Sequence, residues 1–233
     1  MLANIPMIMN NMLPFLGHFW SLGVEEQFYL FWPWLAKIST DKLLKISFFL
    51  VILLFGLKLF FWTTNLTIPL VALSITRFHT MIIGCIGAIF YYNKVNLFLT
   101  NKYIQVLCWS IYFLIAVNLF VVPSLIANEI VAIVTVCVIY AQIERKNMII
   151  DLDNKIFDFI GKISFGIYVY HPLILFLLAK SNFRFKESSI TNYIIVYLIV
   201  LLLTILVAKL SYRFYEKRFI LLKNSFAKIK SRA

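Results

Sequence analysis

Residues 43–62 read LLKISFFLVILLFGLKLFFW, a stretch of twenty positions dominated by Leu, Phe and Ile. A helix rises about 1.5 Å per residue, so such a run spans about 30 Å, the thickness of a bilayer's hydrocarbon layer. Reading outward for runs of the same kind gives seven candidate spans, near 19–38, 43–62, 72–92, 103–122, 124–143, 159–179 and 193–212. No internal repeat or low-complexity linker divides them. The expected fold is therefore all-α, a polytopic bundle of about seven transmembrane helices forming one domain over residues 1–233. Composition points the same way. Hydrophobic residues make up 62% of the chain and charged residues 14%, with a mean hydropathy of +0.90, and no soluble fold of this size could hide so much apolar surface.

The net charge of +12 would suggest nucleic acid as a partner for a soluble chain. Here the basic residues stand mostly in the connections and at the C-terminus, which fits orientation by the positive-inside rule and contact with anionic lipid instead. Nucleic-acid binding is excluded on this reading. With a cytoplasmic C-terminus, sixteen Lys and Arg fall on the inner side, against Lys180, Arg184 and Lys186 on the outer. Seven spans then place the N-terminus outside, in a multi-pass protein of the inner (cytoplasmic) membrane. An odd number of further spans before residue 1 would explain that placement, so the chain reads as the later part of a longer domain. Cys85, Cys108 and Cys137 lie inside apolar runs without C-x-x-C spacing, which argues against disulfides and a thiolate metal site.

Chemistry concentrates in His18-Phe19-Trp20-Ser21-Leu22-Gly23-Val24-Glu25-Glu26-Gln27-Phe28-Tyr29-Leu30-Phe31-Trp32-Pro33. A carboxylate in hydrocarbon costs at least about 2.5–3.5 kcal/mol, so it usually marks a site or an internal partner. Consecutive helical residues point about 100° apart, so one of Glu25 and Glu26 can face a cavity while the other reaches the interface. The plainer alternative is a helix start capped by Ser21, with both acids favouring the first turn. Arg77 can bind an anion or neutralise a carboxylate such as Glu25, or can simply extend to the interface. His79 reads as a structural histidine. His171 precedes Pro172 well inside the sixth candidate span, where proline leaves a carbonyl without its helical donor. That imidazole can act on a substrate hydroxyl or a carboxylate, or pair with a neighbour such as Tyr168. Glu216, among Arg213, Lys217 and Arg218, reads as part of a structural ion pair. Glu129 and Asn118 carry no assignment.

The sixteen-residue string resembles the signature of the acyltransferase-3 family of membrane O-acyltransferases, H-x-W-S-L-x-V-E-x-Q-F-Y-L-x-W-P. Three later stretches are similar to segments of that family in the same order. They are Ser74-Ile75-Thr76-Arg77-Phe78, then Ile160 through His171-Pro172, then Ser211-Tyr212 through Glu216 to Phe219. The resemblance implies transfer of an acyl group, commonly acetyl from acetyl-CoA, to a hydroxyl of a cell-surface glycan or lipid-linked saccharide, as in polysaccharide or lipopolysaccharide modification. Glu25, Glu26 and His171 are then the candidate catalytic residues. Arg77, His18, Trp20 and Tyr29 are the candidate substrate-binding residues. Acyl-CoA is the expected co-substrate, no metal is expected, and membrane lipid and the saccharide acceptor are the expected partners. In the family the catalytic base is a histidine of the first span preceded by a basic residue, and none of His18, His79 and His171 matches it. A separate chain carrying the N-terminal spans is therefore a further candidate partner. A non-catalytic remnant and a transporter or flippase remain alternatives, the latter expected to show a second, repeat-related half.

Overall fold

The computed structural model describes residues 3–9, 11, 17–95, 98–119, 125–181 and 190–226. Among them every regular element is helical, and the chain divides into two compact units, Met1–Asp151 and Leu152–Ala233. The first holds α1 (Asn4–Ile8), a 3₁₀ turn (Gly17–Phe19), α2 (Trp20–Leu35), α3 (Thr40–Thr63), α4 (Thr67–Thr76), α5 (Phe78–Tyr92), α6 (Lys102–Ala116) and α7 (Ala127–Glu144). The second holds α8 (Lys155–Lys180), α9 (Ile190–Ser211), a π-helical turn (Tyr212–Glu216) and α10 (Lys217–Phe226).

Among the described residues, five helical stretches are long and apolar enough to cross a membrane: Thr40–Thr63, Thr67–Tyr92, Ala127–Glu144, Lys155–Lys180 and Ile190–Lys223. The all-α membrane bundle is thus observed. Two of the seven expected spans are short helices, α2 with 16 residues and α6 with 15. The third expected span starts earlier than the pattern suggested, at Thr67, and is interrupted at Arg77. Apolar side chains stand exposed along the long helices, Ile52 at 69% and Leu202 at 65% among them. Lipid covers such a surface without cost, where water would not.

Helix ends follow local chemistry. Asn101 and Asn154 cap α6 and α8 by accepting bonds from backbone amides two or three residues on. Asn65, Asn118 and Arg145 take left-handed backbone angles just past α3, α6 and α7. No such cap opens α2. Its N-cap is Phe19, no side chain closes it, and no acid lies in its first turn. Ser21 capping with dipole-favoured acids is therefore not the reason for Glu25 and Glu26.

Packing in the first unit has an apolar and a polar component. Phe28 of α2 packs with Ile82 and Ile86 of α5, backed by Leu50, Val51 and Leu54 of α3. Cys108 of α6 packs with Val134, Cys137 and Val138 of α7. Gln105, fully buried, donates to Leu99 O at 2.7 Å and to Cys137 O at 2.9 Å, which ties α6 to α7. At Gly87 a Cβ would come within 2.6 Å of Val136, so only glycine lets α5 and α7 approach so closely.

The polar component joins three helices around one carboxylate. Lys58 Nζ of α3 donates to Glu129 Oε1 of α7 at 2.8 Å and also to Leu125 O. His79 Nε2 of α5 stands 2.7 Å from the same carboxylate oxygen. Lys58 and His79 are each 1% exposed, and Glu129 is 9% exposed. The structural reading of His79 agrees with this. Its partner, however, is Glu129, a residue that spacing alone left unassigned. The geometry fixes α3, α5 and α7 in register, because a buried lysine and a buried carboxylate would each be strongly unfavourable in hydrocarbon without a polar partner.

In the second unit, α8 and α9 pack through a small-residue contact. A Cβ on Gly166 would lie 3.0 Å from the Ala208 Cα. Gly166→Ala should therefore destabilise detergent-solubilised protein by about 1–3 kcal/mol, whereas Gly161→Ala, with nothing within 4 Å, should not. Thermal unfolding followed by circular dichroism measures both. Lys58→Met alone should cost about 3–5 kcal/mol by stranding Glu129. Lys58→Met combined with Glu129→Leu should recover part of that loss in the same assay, and equal losses would show that the charges are not coupled.

Candidate functional site

The first unit brings four of the expected site residues to one place. A pocket of about 320 Å³ is lined by Trp20, Ser21, Glu25 and Tyr29 of α2, by Arg77, and by Thr80 of α5. The reason is local. Ser21, Glu25 and Tyr29 recur every four residues and so share a face of α2, while Trp20 lines the pocket from the first turn of the helix. Gln27, on another face, forms a reciprocal amide pair with Asn4 of α1, at 3.2 and 2.9 Å. Phe28 turns into the core against Phe78. With those two faces committed, the Glu25 face is left to the pocket.

Arg77 reaches the pocket through a break in the chain. Its φ of 50° is left-handed, and it is both the last residue after α4 and the cap of α5. This conformation costs a residue bearing a Cβ about 1–3 kcal/mol and tends to persist where surrounding structure enforces it. Here Thr80 Oγ1 donates to Arg77 O at 2.8 Å, and Arg77 Nε donates to Ser74 O at 3.1 Å. The guanidinium carbon sits 5.1 Å from the Trp20 ring centroid, within cation–π range. The third expected span is therefore not one continuous helix, because Arg77 forms the break itself. Glu25 and Arg77 line the pocket together without forming an ion pair, and the terminal nitrogens of Arg77 make no hydrogen bond among the described residues. A carboxylate and a guanidinium with unspent capacity, flanked by an indole and a phenol, can orient a hydroxyl and hold a developing negative charge.

Glu26 and His18 are placed differently. Glu26, exposed like Glu25, is not among the residues lining this pocket. His18 lies in the 3₁₀ turn before α2, its ring 4.1 Å from that of Phe19. Among the described residues, no group of three or more His, Cys, Asp or Glu is arranged to hold a metal ion.

His171 belongs to the second unit, on α8, which continues through Pro172 to Lys180. Pro172 deprives Tyr168 O of its helical donor. His171 Nδ1 supplies a replacement, 3.1 Å from Tyr168 O and 3.2 Å from Ile167 O. A carbonyl can only accept, so Nδ1 carries a proton and donates it. Beside it, Tyr170 OH lies 3.2 Å from Ser211 Oγ, which donates to Glu216 Oε1 at 2.9 Å. Glu216 makes no ion pair among the described residues, so the ion-pair reading of it is corrected. The π-helical turn carries it back toward Ser211 and Gly166, away from the neighbouring basic side chains.

Sequence reasoning missed the role of Lys58, a lysine late in a 20-residue apolar run, and of Glu129, a lone acid early in another. Each is a signal under the rule that intramembrane charges seek partners. Their pairing was not legible, since 71 residues separate them.

At 29% identity over 222 residues, the chain is similar to "Putative O-acetyltransferase SACOL0978" of Staphylococcus aureus (strain COL), covering 88% of the chain and 36% of that protein. It is 27% identical over 219 residues to O-acetyltransferase OatA of Staphylococcus aureus (strain NCTC 8325 / PS 47), covering 86% of the chain and 35% of OatA. The chain thus spans about a third of the length of these curated relatives. No solved structure matches it. The model of the acyltransferase-3 family, described as an acyltransferase domain, matches residues 2–213. With that match and its bundle of long apolar helices, the chain is a membrane protein and belongs to the acyltransferase-3 family.

Proposed function

We propose that this chain forms part of an O-acyltransferase of the inner (cytoplasmic) membrane, which moves an acyl group, acetyl in the first instance, from acyl-CoA to a hydroxyl of a cell-surface glycan or lipid-linked saccharide. The observation that carries this reading is the shared pocket of Glu25, Arg77, Trp20 and Tyr29. Family membership and the names of the relatives support the reaction type. In the step, the acceptor oxygen bonds to the thioester carbonyl carbon, the carbon–sulfur bond breaks, and the hydroxyl proton ends on the departing thiol. That chemistry needs a base, a counter-charge for the tetrahedral oxyanion and exclusion of water.

Glu25 accepts a hydrogen bond from the acceptor hydroxyl and orients it. The free nitrogens of Arg77 face the oxyanion, and the rings of Trp20 and Tyr29 meet the C–H faces of a sugar. Glu26, beside this pocket on α2, and His18, just before the helix, complete the polar approach. His171 is the candidate acid–base group of the second unit. By resemblance the principal base is a histidine of the family's first span.

The donor has a matching site. A pocket of about 940 Å³ is lined by Tyr91, Tyr92, Lys94, Tyr140, Glu144 and Lys146. It lies at the end of α5 remote from Arg77, about 22 Å away at 1.5 Å per residue. Lysines suit the phosphates of CoA and tyrosines its adenine. This is the end that the distribution of basic residues assigns to the cytoplasm.

In the intact reading frame that carries this chain, Glu25→Ala and His171→Ala should each lower acylation of surface glycan by about 100-fold or more. Base-released radiolabelled acetate measures the loss, and immunoblotting of membranes should show unchanged insertion. Full acylation in both variants would remove the site assignment.

A further inference from the structure

The buried cluster underlies a second pocket. One turn beyond Lys58 on α3 stands Trp62, two residues before His79 stands Arg77, and next to Glu129 stands Asn128. These three residues, with Leu70 and Ser74 of α4 and Leu125, line a pocket of about 380 Å³. It shares Arg77 with the Glu25 pocket and no other lining residue. The cluster also shapes its rim directly, since Lys58 Nζ donates to the carbonyl of Leu125. One carboxylate oxygen of the cluster, Glu129 Oε2, is buried and has no hydrogen-bond partner among the described residues. Unspent polar capacity therefore lies next to the pocket.

The lining sets the class of ligand. Trp62 presents an indole that is 56% exposed. Around it stand a guanidinium, a primary amide and a hydroxyl, from Arg77, Asn128 and Ser74. An indole packs against the C–H face of a pyranose ring, while planar amide and guanidinium groups exchange paired hydrogen bonds with neighbouring hydroxyls. A lipid acyl chain would leave those polar groups unsatisfied. A phosphate would use Arg77 and leave the indole without a role.

We propose that this second pocket is a saccharide subsite, so that the acceptor lies across Arg77 with one ring beside Glu25 and another on Trp62, and is at least two rings long. The inference rests on the reading of the chain as part of a saccharide O-acyltransferase. Arg77 is then the pivot between the reacting ring and the recognition ring, and its left-handed backbone angle turns one side chain toward both pockets.

The test uses membranes containing the intact reading frame that carries this chain, with acetyl-CoA as donor. The acceptors are the natural surface glycan cut into single-ring fragments and fragments of two to four rings. Trp62→Ala and Asn128→Ala should each raise KM for the longer fragments about tenfold, equivalent to roughly 1.4 kcal/mol of lost contact. KM for single rings, KM for acetyl-CoA and kcat should stay within about twofold, and Trp62→Phe should restore most of the preference. Membrane levels of each variant are measured alongside, and Asn128→Ala carries the test if Trp62→Ala fails to insert. Unchanged preference for longer fragments, or an equal rise for both fragment classes, would overturn the subsite. A rise confined to acetyl-CoA would overturn it too, by giving the pocket to the donor. If the wild-type protein acylates none of these saccharides, the underlying reading fails, which is a distinguishable result.

Discussion

One carboxylate shared by two buried nitrogens sets the arrangement of the first unit. Glu129 receives Lys58 from α3 and faces His79 on α5, with all three side chains withdrawn from the surface. Among apolar helices, sliding or rotation changes little energy, because one Leu–lipid contact resembles another. An ionic contact is different. A helix that slipped by one residue would carry its charge away from its partner, at a cost of several kcal/mol. The cluster thus gives register to helices whose apolar surfaces would tolerate many alternatives.

The break at Arg77 takes its position from that register. α4 and α5 form one 26-residue apolar stretch, and a continuous helix would have pointed Arg77 in a single direction set by its periodicity. The left-handed angle instead lifts the guanidinium out of the helical pattern. Ser74 O, Thr80 and the Trp20 ring hold it there. Polar groups from α2, α4, α5 and the start of α7 then gather around one cation. They form two pockets with different lining chemistry, one acidic and aromatic, the other amide-bearing and aromatic.

The second unit uses polar contacts for a different purpose. Pro172 removes a backbone donor, and the neighbouring histidine replaces it with a ring N–H from Nδ1. The π-helical turn that ends α9 brings Glu216 back to Ser211, and Ser211 to Tyr170. Two segments separated by some forty residues of sequence are linked in this way. The basic residues around Glu216 made an ion pair the obvious expectation from composition. Backbone geometry decided otherwise, since the wider turn changes which way the carboxylate points.

Much of this was legible from residues 1–233 before any coordinates. Apolar runs near 30 Å in length can only be helices in a bilayer, because every backbone polar group must be satisfied within its own segment. The run from His18 to Pro33 marked the region of α2 that faces the pocket, and the stretch around Arg77 marked its other wall. The local pattern could not say which of two adjacent acids would enter the pocket, because that depends on what Gln27 and Phe28 bind on the remaining faces. Nor could it pair Lys58 with Glu129, or show that Arg77 interrupts its helix. Those outcomes arise from contacts between residues distant in the chain, whose energies exist only once the helices are assembled. Composition and periodicity determined the membrane helices themselves; packing around a few buried charges decided their register and the shape of the site.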